Sequence, residues 1–173
     1  IYKLLNTECF KSLYSGFTFA DRNTLDLRNI DAIEEYFTNK HFDVILNCSA
    51  YTRVDDAEEH TQEANLINHL AVKKLAEIAN RNKNYLLHIS TDYVFDGRNS
   101  NPYIEIDKTN PINVYGVTKL DGEKAIKKIM KNNAIIIRTS WLYSEFGNNF
   151  VKTIIKLAKN SDQLKIINDQ IGS

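Results

Sequence analysis

Apolar residues follow two alternating patterns along the chain. Short apolar runs at 43–48, 85–90 and 134–138 are typical of strands that are buried on both faces. At about 61–82 and 115–131 apolar residues instead recur every three or four positions, which predicts amphipathic helices. Strand and helix therefore alternate, and the sequence predicts an α/β fold with a doubly wound parallel sheet that helices cover on both faces.

The other segments carry weaker patterns. A stretch at 91–113 lacks periodicity and contains Gly97, Pro102 and Pro111, which predicts a loop. A loop this long inside a compact domain is more often functional than idle. The weaker predictions, in chain order, are helical spacing over 1–13, a strand at 17–20, a helix with Ile30, Ile33 and Phe37 on its inner face, a helix at 150–159 with Phe150, Ile154, Leu157 and Ala158 facing inward, and a strand at 164–167.

Composition narrows the function classes. The 173 residues, of which 43% are hydrophobic and 25% charged, are enough for one globular domain with a real core. The formal net charge of 0 disfavours a general nucleic-acid binder. No apolar run reaches the roughly 18 residues of a membrane span, so no membrane partner is expected. Two cysteines are too few for a disulfide scaffold, which favours a reducing cytoplasm.

Candidate chemistry gathers where the predicted strands end. Ligands of such folds bind at the carboxyl ends of the strands. The residues that follow the three apolar runs are polar or aromatic, in the triplets Ser49-Ala50-Tyr51, Ser90-Thr91-Asp92 and Thr139-Ser140-Trp141. The four histidines are scattered without ligand spacing, which favours structural or solvated roles and predicts no metal site.

The sharpest local signal is a tyrosine and a lysine four residues apart. Tyr115 and Lys119 lie on one face of a helix, one turn apart. A nearby ammonium lowers the pKa of a tyrosine, and such a tyrosine can exchange a proton with a carbonyl or alcohol. An isolated pair of this kind is better explained as a turn of a surface helix. A hydroxyl of Thr91 at the preceding strand end could bind the same substrate oxygen, although Thr91 could also cap a turn.

Several motifs in fixed order carry a family resemblance. They are NCSAYTRVDDAE at 47–58, ISTDYVFDG at 89–97, PINVYGVTK at 111–119, RTSWLY at 138–143, NNFVK at 148–152 and DQIGS at 169–173. Together they resemble the dTDP-4-dehydrorhamnose reductase family of the extended short-chain dehydrogenase/reductase superfamily. The resemblance runs from about Asp26 to the last residue and implies a Rossmann-like fold.

The resemblance implies an activity and a set of site residues. The activity is NAD(P)H-dependent reduction of the C4 ketone of dTDP-4-dehydro-6-deoxy-L-mannose, which is dTDP-4-dehydro-L-rhamnose, to dTDP-L-rhamnose. It serves polysaccharide biosynthesis, with NADPH or NADH as the cofactor. The implied catalytic residues are Tyr115, Lys119 and Thr91; the substrate contacts are Thr91, Asp92 and Trp141; and the cofactor contacts are Asp26, Leu27, Ser49, Ala50, Tyr51, Tyr115 and Lys119.

Simpler explanations stay open for two of these residues. Trp141 could be a core aromatic at a strand end. Asp26 could be an acid at a helix N-terminus, where the helix dipole favours it. Both assignments therefore depend on the resemblance alone.

The chain departs from the family in two places. No GxxGxxG turn, which would cradle a pyrophosphate, occurs in the sequence. The expected continuation into a substrate-binding region after Ser173 is not seen either. Residues 1–173 are accordingly expected to form a partial NAD(P)-binding Rossmann-like domain that lacks its first strand and glycine-rich turn.

Two other functions compete with the reductase. One is a non-catalytic regulatory protein, since the beta subunit of methionine adenosyltransferase resembles the same branch. The other is a nucleotide-sugar epimerase or dehydratase, which shares the Tyr115/Lys119 arrangement but consumes no net NAD(P)H. The choice between NADH and NADPH, and the formation of a homodimer, stay open.

Overall fold

The computed structural model describes residues 16–161 and 163–166 and shows a three-stranded sheet with helices. No helix within these residues is long and apolar enough to cross a membrane. The elements are α1 (Ile30–Phe37), β1 (Val44–Asn47), α2 (Asp56–Glu59), α3 (Thr61–Asn65), a π-helical segment (Leu66–Leu70), α4 (Ala71–Asn82), β2 (Tyr85–Thr91), a 3₁₀ turn (Asp92–Val94), α5 (Val114–Met130), β3 (Ala134–Thr139) and α6 (Phe150–Ala158).

The sheet has the order β1-β2-β3, and both pairs of strands are parallel. Asn47 of β1 stands opposite His88 of β2, and His88 in turn stands opposite Ile136 of β3. The connections run through α2–α4 and through α5, as crossovers between parallel strands require. The predicted α/β fold with a parallel sheet is therefore confirmed, and the carboxyl ends of the strands meet at one edge.

The core lies on one face of this sheet. Val72 and Ala76 of α4 and Ile126 of α5 pack on Leu86 of β2, with Ile136 beside them. α1 extends this layer, because Ile33 packs with Leu75 of α4. The opposite face keeps Val44, Leu46, Ile135 and Ile137 exposed. Within the described residues, the helices thus cover one face of the sheet, not both as the pattern predicted.

The long helix predicted at 61–82 is interrupted. Residues Leu66–Leu70 form a π-helical segment between α3 and α4. Its central residue Asn68 is fully buried, and its side-chain amide bonds both backbone groups of Tyr51, which follows β1. Such π-bulges are found mostly at functional sites. Here the bulge turns an amide toward the strand end.

Three weaker predictions are wrong and one lies outside the described residues. Residues 17–20 form irregular backbone, because an aromatic pair in a short run does not by itself provide the neighbour that a strand requires. Residues 164–166 are also irregular, and Ile167 and residues 1–13 lie outside the described part. α6 forms as predicted, but none of its residues is fully buried: of its expected inner face, Ile154 is half-buried, and Phe150, Leu157 and Ala158 are exposed within this part of the chain.

Candidate active site

Thr91 occupies the last position of β2 and is buried. Its hydroxyl accepts a hydrogen bond from the backbone N–H of Tyr93 (3.2 Å) and donates one to the carboxylate of Asp92 (3.1 Å). The side chain of Thr91 also interacts with that of Tyr115. Both interpretations of Thr91 therefore hold together: the residue caps the 3₁₀ turn and touches the candidate catalytic tyrosine.

Tyr115 lies in the first turn of α5, a helix that starts sharply. The side chain of Asn113 caps this helix by accepting from the N–H of Gly116 (2.7 Å). A Cβ on Gly116 would overlap the carbonyl oxygen of Tyr93, so only glycine lets α5 approach the 3₁₀ turn this closely. The ring of Tyr93 packs edge-on against that of Tyr115 with centroids 5.6 Å apart. Tyr115 is thus held against the end of β2.

Lys119 is only 1% exposed and lies one turn farther along the same face of α5. Its Nζ donates to the carbonyl oxygen of Ile89 (2.7 Å) and lies 3.3 Å from Nε2 of His88. Burial lowers the pKa of Lys119 to about 8, although the charge of Glu123 acts in the opposite direction. The predicted juxtaposition of Thr91, Tyr115 and Lys119 is present.

The expected lowering of the tyrosine pKa is wrong for this structure. Burial raises the pKa of Tyr115 above its ordinary value; the hydrogen bond with Thr91 lowers it, and the charge of Asp92 raises it. The Nζ of Lys119 is directed to His88 and Ile89. A tyrosine with a raised pKa stays protonated at neutral pH, which suits a group that gives a proton to an oxyanion.

A buried carboxylate on the same helix face was missed by sequence reasoning. Glu123 is fully buried and accepts from Ser90 Oγ (2.7 Å) and from Arg138 Nε and Nη2 (2.9 and 2.7 Å). Burial opposes its ionisation, but the hydrogen bonds from Arg138 and Ser90 outweigh that and lower the pKa of Glu123. The network joins α5 to β2 and β3 behind the candidate catalytic residues.

His88 was also missed, although two periodicities could have found it. Alternation along β2 puts His88 and Ser90 on the buried face with Leu86. The spacing of four along α5 puts Lys119 and Glu123 on one helix face. Two polar residues on a buried strand face need polar partners, and this helix face offers them.

The strand end after β1 is fixed by two amides. Asn47 Oδ1 accepts from the N–H of Ser49 (3.0 Å), and Asn68 bonds the N–H and the carbonyl of Tyr51 (2.9 and 3.1 Å). Ser49 is exposed, Ala50 is half-buried and Tyr51 is buried. Tyr51 shares an apolar cluster with Tyr115. The structure therefore brings the predicted 49–51 segment beside the candidate catalytic residues.

The predicted cofactor contacts Asp26, Leu27 and Ser49 are only partly brought together. A cavity of about 140 Å³ next to β1 is lined by Leu27 and Ser49, along with other residues. Asp26 does not line it; Arg28 holds the Asp26 carboxylate through its Nε (3.0 Å) and lowers the pKa of Asp26 to about 2. Leu27 and Ser49 thus share one cavity, while Asp26 serves a local ion pair.

Trp141 lies beyond the end of β3 and is 48% exposed. Its backbone has a φ of 51°, a conformation uncommon for a bulky residue. Its ring packs edge-on against Phe150 of α6 with centroids 5.5 Å apart. Trp141 is therefore not a core aromatic here, and its contact with substrate stays a prediction.

Comparison with known proteins agrees with the motifs. The sequence profile of the RmlD substrate binding domain matches residues 7–173. The dTDP-4-dehydrorhamnose reductase of Escherichia coli K12 is 44% identical over 148 residues, covering 86% of this chain and 49% of that protein. The chain spans about half the length of the curated relatives it matches.

Solved structures give the same result. The dTDP-4-dehydrorhamnose reductase of Bacillus anthracis, in complex with NADP, superposes with a TM-score of 0.85 at 38% identity over 94% of this chain and 57% of that one. The Clostridium acetobutylicum protein of the same name gives 0.83 at 44% identity over 87% of this chain and 53% of that one. With its motifs, parallel sheet and profile match in agreement, the chain belongs to the RmlD substrate binding domain family, and the relatives above are dTDP-4-dehydrorhamnose reductases.

Proposed function

We propose that this chain belongs to an enzyme that uses NADPH or NADH to reduce the C4 ketone of dTDP-4-dehydro-L-rhamnose to dTDP-L-rhamnose. Family membership and the names of relatives at 44% identity support the proposal. We further propose that residues 1–173 contribute the strand ends and the Tyr115 helix of the dinucleotide-binding domain.

The observation that carries the proposal is the burial of Tyr115 and Lys119 on one face of α5 against Thr91. Tyr115, whose pKa is raised, is the proton donor to the C4 oxygen of the sugar. The side chain of Thr91 lies beside that of Tyr115, so its hydroxyl, which donates to Asp92 in this structure, is placed to hydrogen bond the same sugar oxygen. Asp92 is half-buried next to Thr91 and is the proposed inner contact with the sugar. Trp141 is the proposed outer substrate contact.

The residues present fit a dinucleotide in part. Within the described residues, Tyr51 Oη is a buried side-chain polar atom without a hydrogen-bond partner, and it lies in the Tyr115 cluster, where a polar ligand group would satisfy it. The cavity lined by Leu27 and Ser49 offers about 140 Å³ for part of the cofactor. The sequence offers no GxxGxxG cradle for the pyrophosphate. The cofactor would supply the hydride, held by Leu27, Ser49–Tyr51 and Lys119.

The test is Tyr115→Phe in the full-length protein. Loss of a general acid lowers kcat by about 10²-fold or more. Keto-sugar-dependent oxidation of NADPH is followed by absorbance, and net oxidation also separates a reductase from an epimerase. The matched control is Tyr93→Phe, because the Tyr93 ring packs against Tyr115 but lies at the surface. Near wild-type turnover of the Tyr115→Phe enzyme would overturn the assignment.

A further inference from the structure

The side chain of Asn47 has a fixed orientation. Its Oδ1 accepts from the backbone N–H of Ser49 (3.0 Å), so its Nδ2 points to Nδ1 of His88 (3.1 Å). An amide NH₂ only donates, and therefore Nδ1 of His88 must accept. The hydrogen bond at one ring nitrogen fixes the state of the other. A neutral His88 consequently carries its proton on Nε2.

The protonated Nε2 faces the amine of Lys119. The distance from Nε2 to Nζ is 3.3 Å, and Nζ also donates to the carbonyl of Ile89 (2.7 Å). An ammonium has three donors and no acceptor, so a charged Lys119 would set donor against donor. A neutral amine resolves this, because its lone pair accepts from Nε2–H while one of its N–H groups donates to Ile89.

We propose that Asn47 and His88 act as a positioning relay for Lys119: Asn47 selects the ring tautomer of His88, and this tautomer stabilises Lys119 as a neutral amine. A positively charged Lys119 would need the opposite tautomer, and hence Asn47 turned over with loss of its bond to Ser49. The relay therefore couples the strand end at 49–51 to the proton of Lys119.

Burial and charge act on Lys119 in opposite directions: burial lowers its pKa, and the smaller effect of the Glu123 charge raises it. On α5, Glu123 lies one turn beyond Lys119, but Ser90 and the Arg138 guanidinium bind its carboxylate, and Lys127 lies 3.7 Å from it. Tyr115, on the same helix, stays neutral because burial raises its pKa. Burial lowers the pKa of His88 to about 3; a charged Lys119 would add to this lowering and Glu123 opposes it, so the ring is neutral throughout the physiological range.

The chemical consequence rests on the proposed function. Lys119 lies one turn from Tyr115, so its charge influences proton transfer to and from the tyrosine. A lysine that titrates near neutral pH can act as a reversible proton store for that site. The relay itself is a property of the folded chain and exists whatever the substrate is.

The first experiment measures the tautomer of His88 in the unaltered protein by long-range proton–nitrogen NMR of the imidazole ring. We expect the ring to stay neutral between pH 5 and 9 and to be protonated on Nε2 at pH 9, where Lys119 is a neutral amine. A ring protonated on Nδ1 at pH 9 would overturn the relay. This measurement needs neither substrate nor turnover, so its failure is distinct from failure of the reductase assignment, which Tyr115→Phe tests.

The second experiment reverses the relay with Asn47→Asp. A carboxylate keeps the bond from Ser49 but accepts from Nδ1–H, so Nε2 becomes an acceptor for an ammonium. We expect the NMR titration of the Lys119 Nζ, and the matching limb of the pH profile of kcat/KM, to move to higher pH by about one unit, a tenfold change in proton affinity.

The control combines Asn47→Asp with His88→Gln. If the new charge acted on Lys119 directly through space, the shift would persist without the ring. If it acts through the ring, as proposed, the shift is largely lost in the double variant. A shift of equal size in both backgrounds, or none in Asn47→Asp alone, would contradict the relay; loss of stability without a moved titration would reduce Asn47 to a structural role.

Discussion

The two helices that bracket β3 differ sharply. α5, before the strand, buries Lys119 and Glu123, and residues of β2 and β3 are their hydrogen-bond partners. α6, after it, is more regularly amphipathic in sequence, yet it leaves Phe150 and Leu157 exposed within the described part of the chain. The hydrophobic pattern alone therefore does not show which of the two helices is packed into the core. The buried polar residues of α5 do show it, because polar side chains are buried only where hydrogen-bond partners are available.

Burial of charge also explains why α5 lies where it does. A buried ion pair is expensive to assemble and even more expensive to break. The bidentate contact between Glu123 and Arg138 is backed by Ser90, so three elements must keep their register. That register is what sets Tyr115 and Lys119 opposite the end of β2.

The largest expected effect on stability comes from removing the carboxylate of Glu123. Glu123→Ala leaves Arg138 half-buried without its partner, and breaking such a pair destabilises by about 3–5 kcal/mol. Urea unfolding followed by circular dichroism measures the free energy of unfolding. The control on the same helix is Asp121→Ala, whose pair with Lys124 is exposed and contributes at most about 1 kcal/mol.

Equal losses in the free energy of unfolding for the two variants would contradict this prediction. They would mean that Glu123 is as well solvated as Asp121 and that the network does not fix α5. A loss at Glu123 alone would leave the buried network as the feature that separates the two helices.

The second prediction compares a buried isoleucine of α5 with an exposed one of α6. Ile126 of α5 is 1% exposed, while Ile155 of α6 is 53% exposed. Truncating a buried isoleucine to alanine destabilises by about 2–5 kcal/mol, whereas an exposed one changes stability by about 0.5 kcal/mol or less. Thermal unfolding of Ile126→Ala and Ile155→Ala measures both. A loss at Ile155 as large as at Ile126 would show that residues outside the described part cover α6.

Prediction from the sequence was most accurate where a segment has one clear apolar period. The strands β1, β2 and β3 and the helix α5 were predicted to within a few residues, because each is a run with one dominant period. The π-helical segment was not predicted, since the apolar spacing from Ala64 to Ala71 is equally compatible with a continuous helix. Its signal is Asn68, a polar residue on the predicted inner side.

The candidate site was predicted in part. Motif and spacing mark Thr91, Tyr115 and Lys119, and the structure places these three residues together. His88 and Glu123 were not, because a histidine or a glutamate reads as solvated unless the burial of its face is known. The tyrosine pKa was predicted in the wrong direction, because spacing in sequence shows that Lys119 is near Tyr115 but not that Tyr115 is itself buried, and this burial raises its pKa.

The smallest effect concerns the caps of the two helices. Asn113 and Asn149 both accept a hydrogen bond from the third N–H of their helix, over 2.7 Å to Gly116 and 3.1 Å to Lys152. Replacing an asparagine cap by alanine destabilises by about 1 kcal/mol when the helix folds with the rest. We expect that loss for Asn113→Ala, because α5 is packed into the core and fraying its first turn also releases Tyr115. For Asn149→Ala we expect only a few tenths of that loss, because a helix end with few buried contacts opens locally without global unfolding.

Hydrogen exchange at Gly116 and Lys152 separates the two cases. Exchange at Lys152 should accelerate in Asn149→Ala without a change in the global free energy of unfolding, because the end of α6 opens by itself. Equal losses of global stability for the two variants would instead show that α6 folds as tightly as α5.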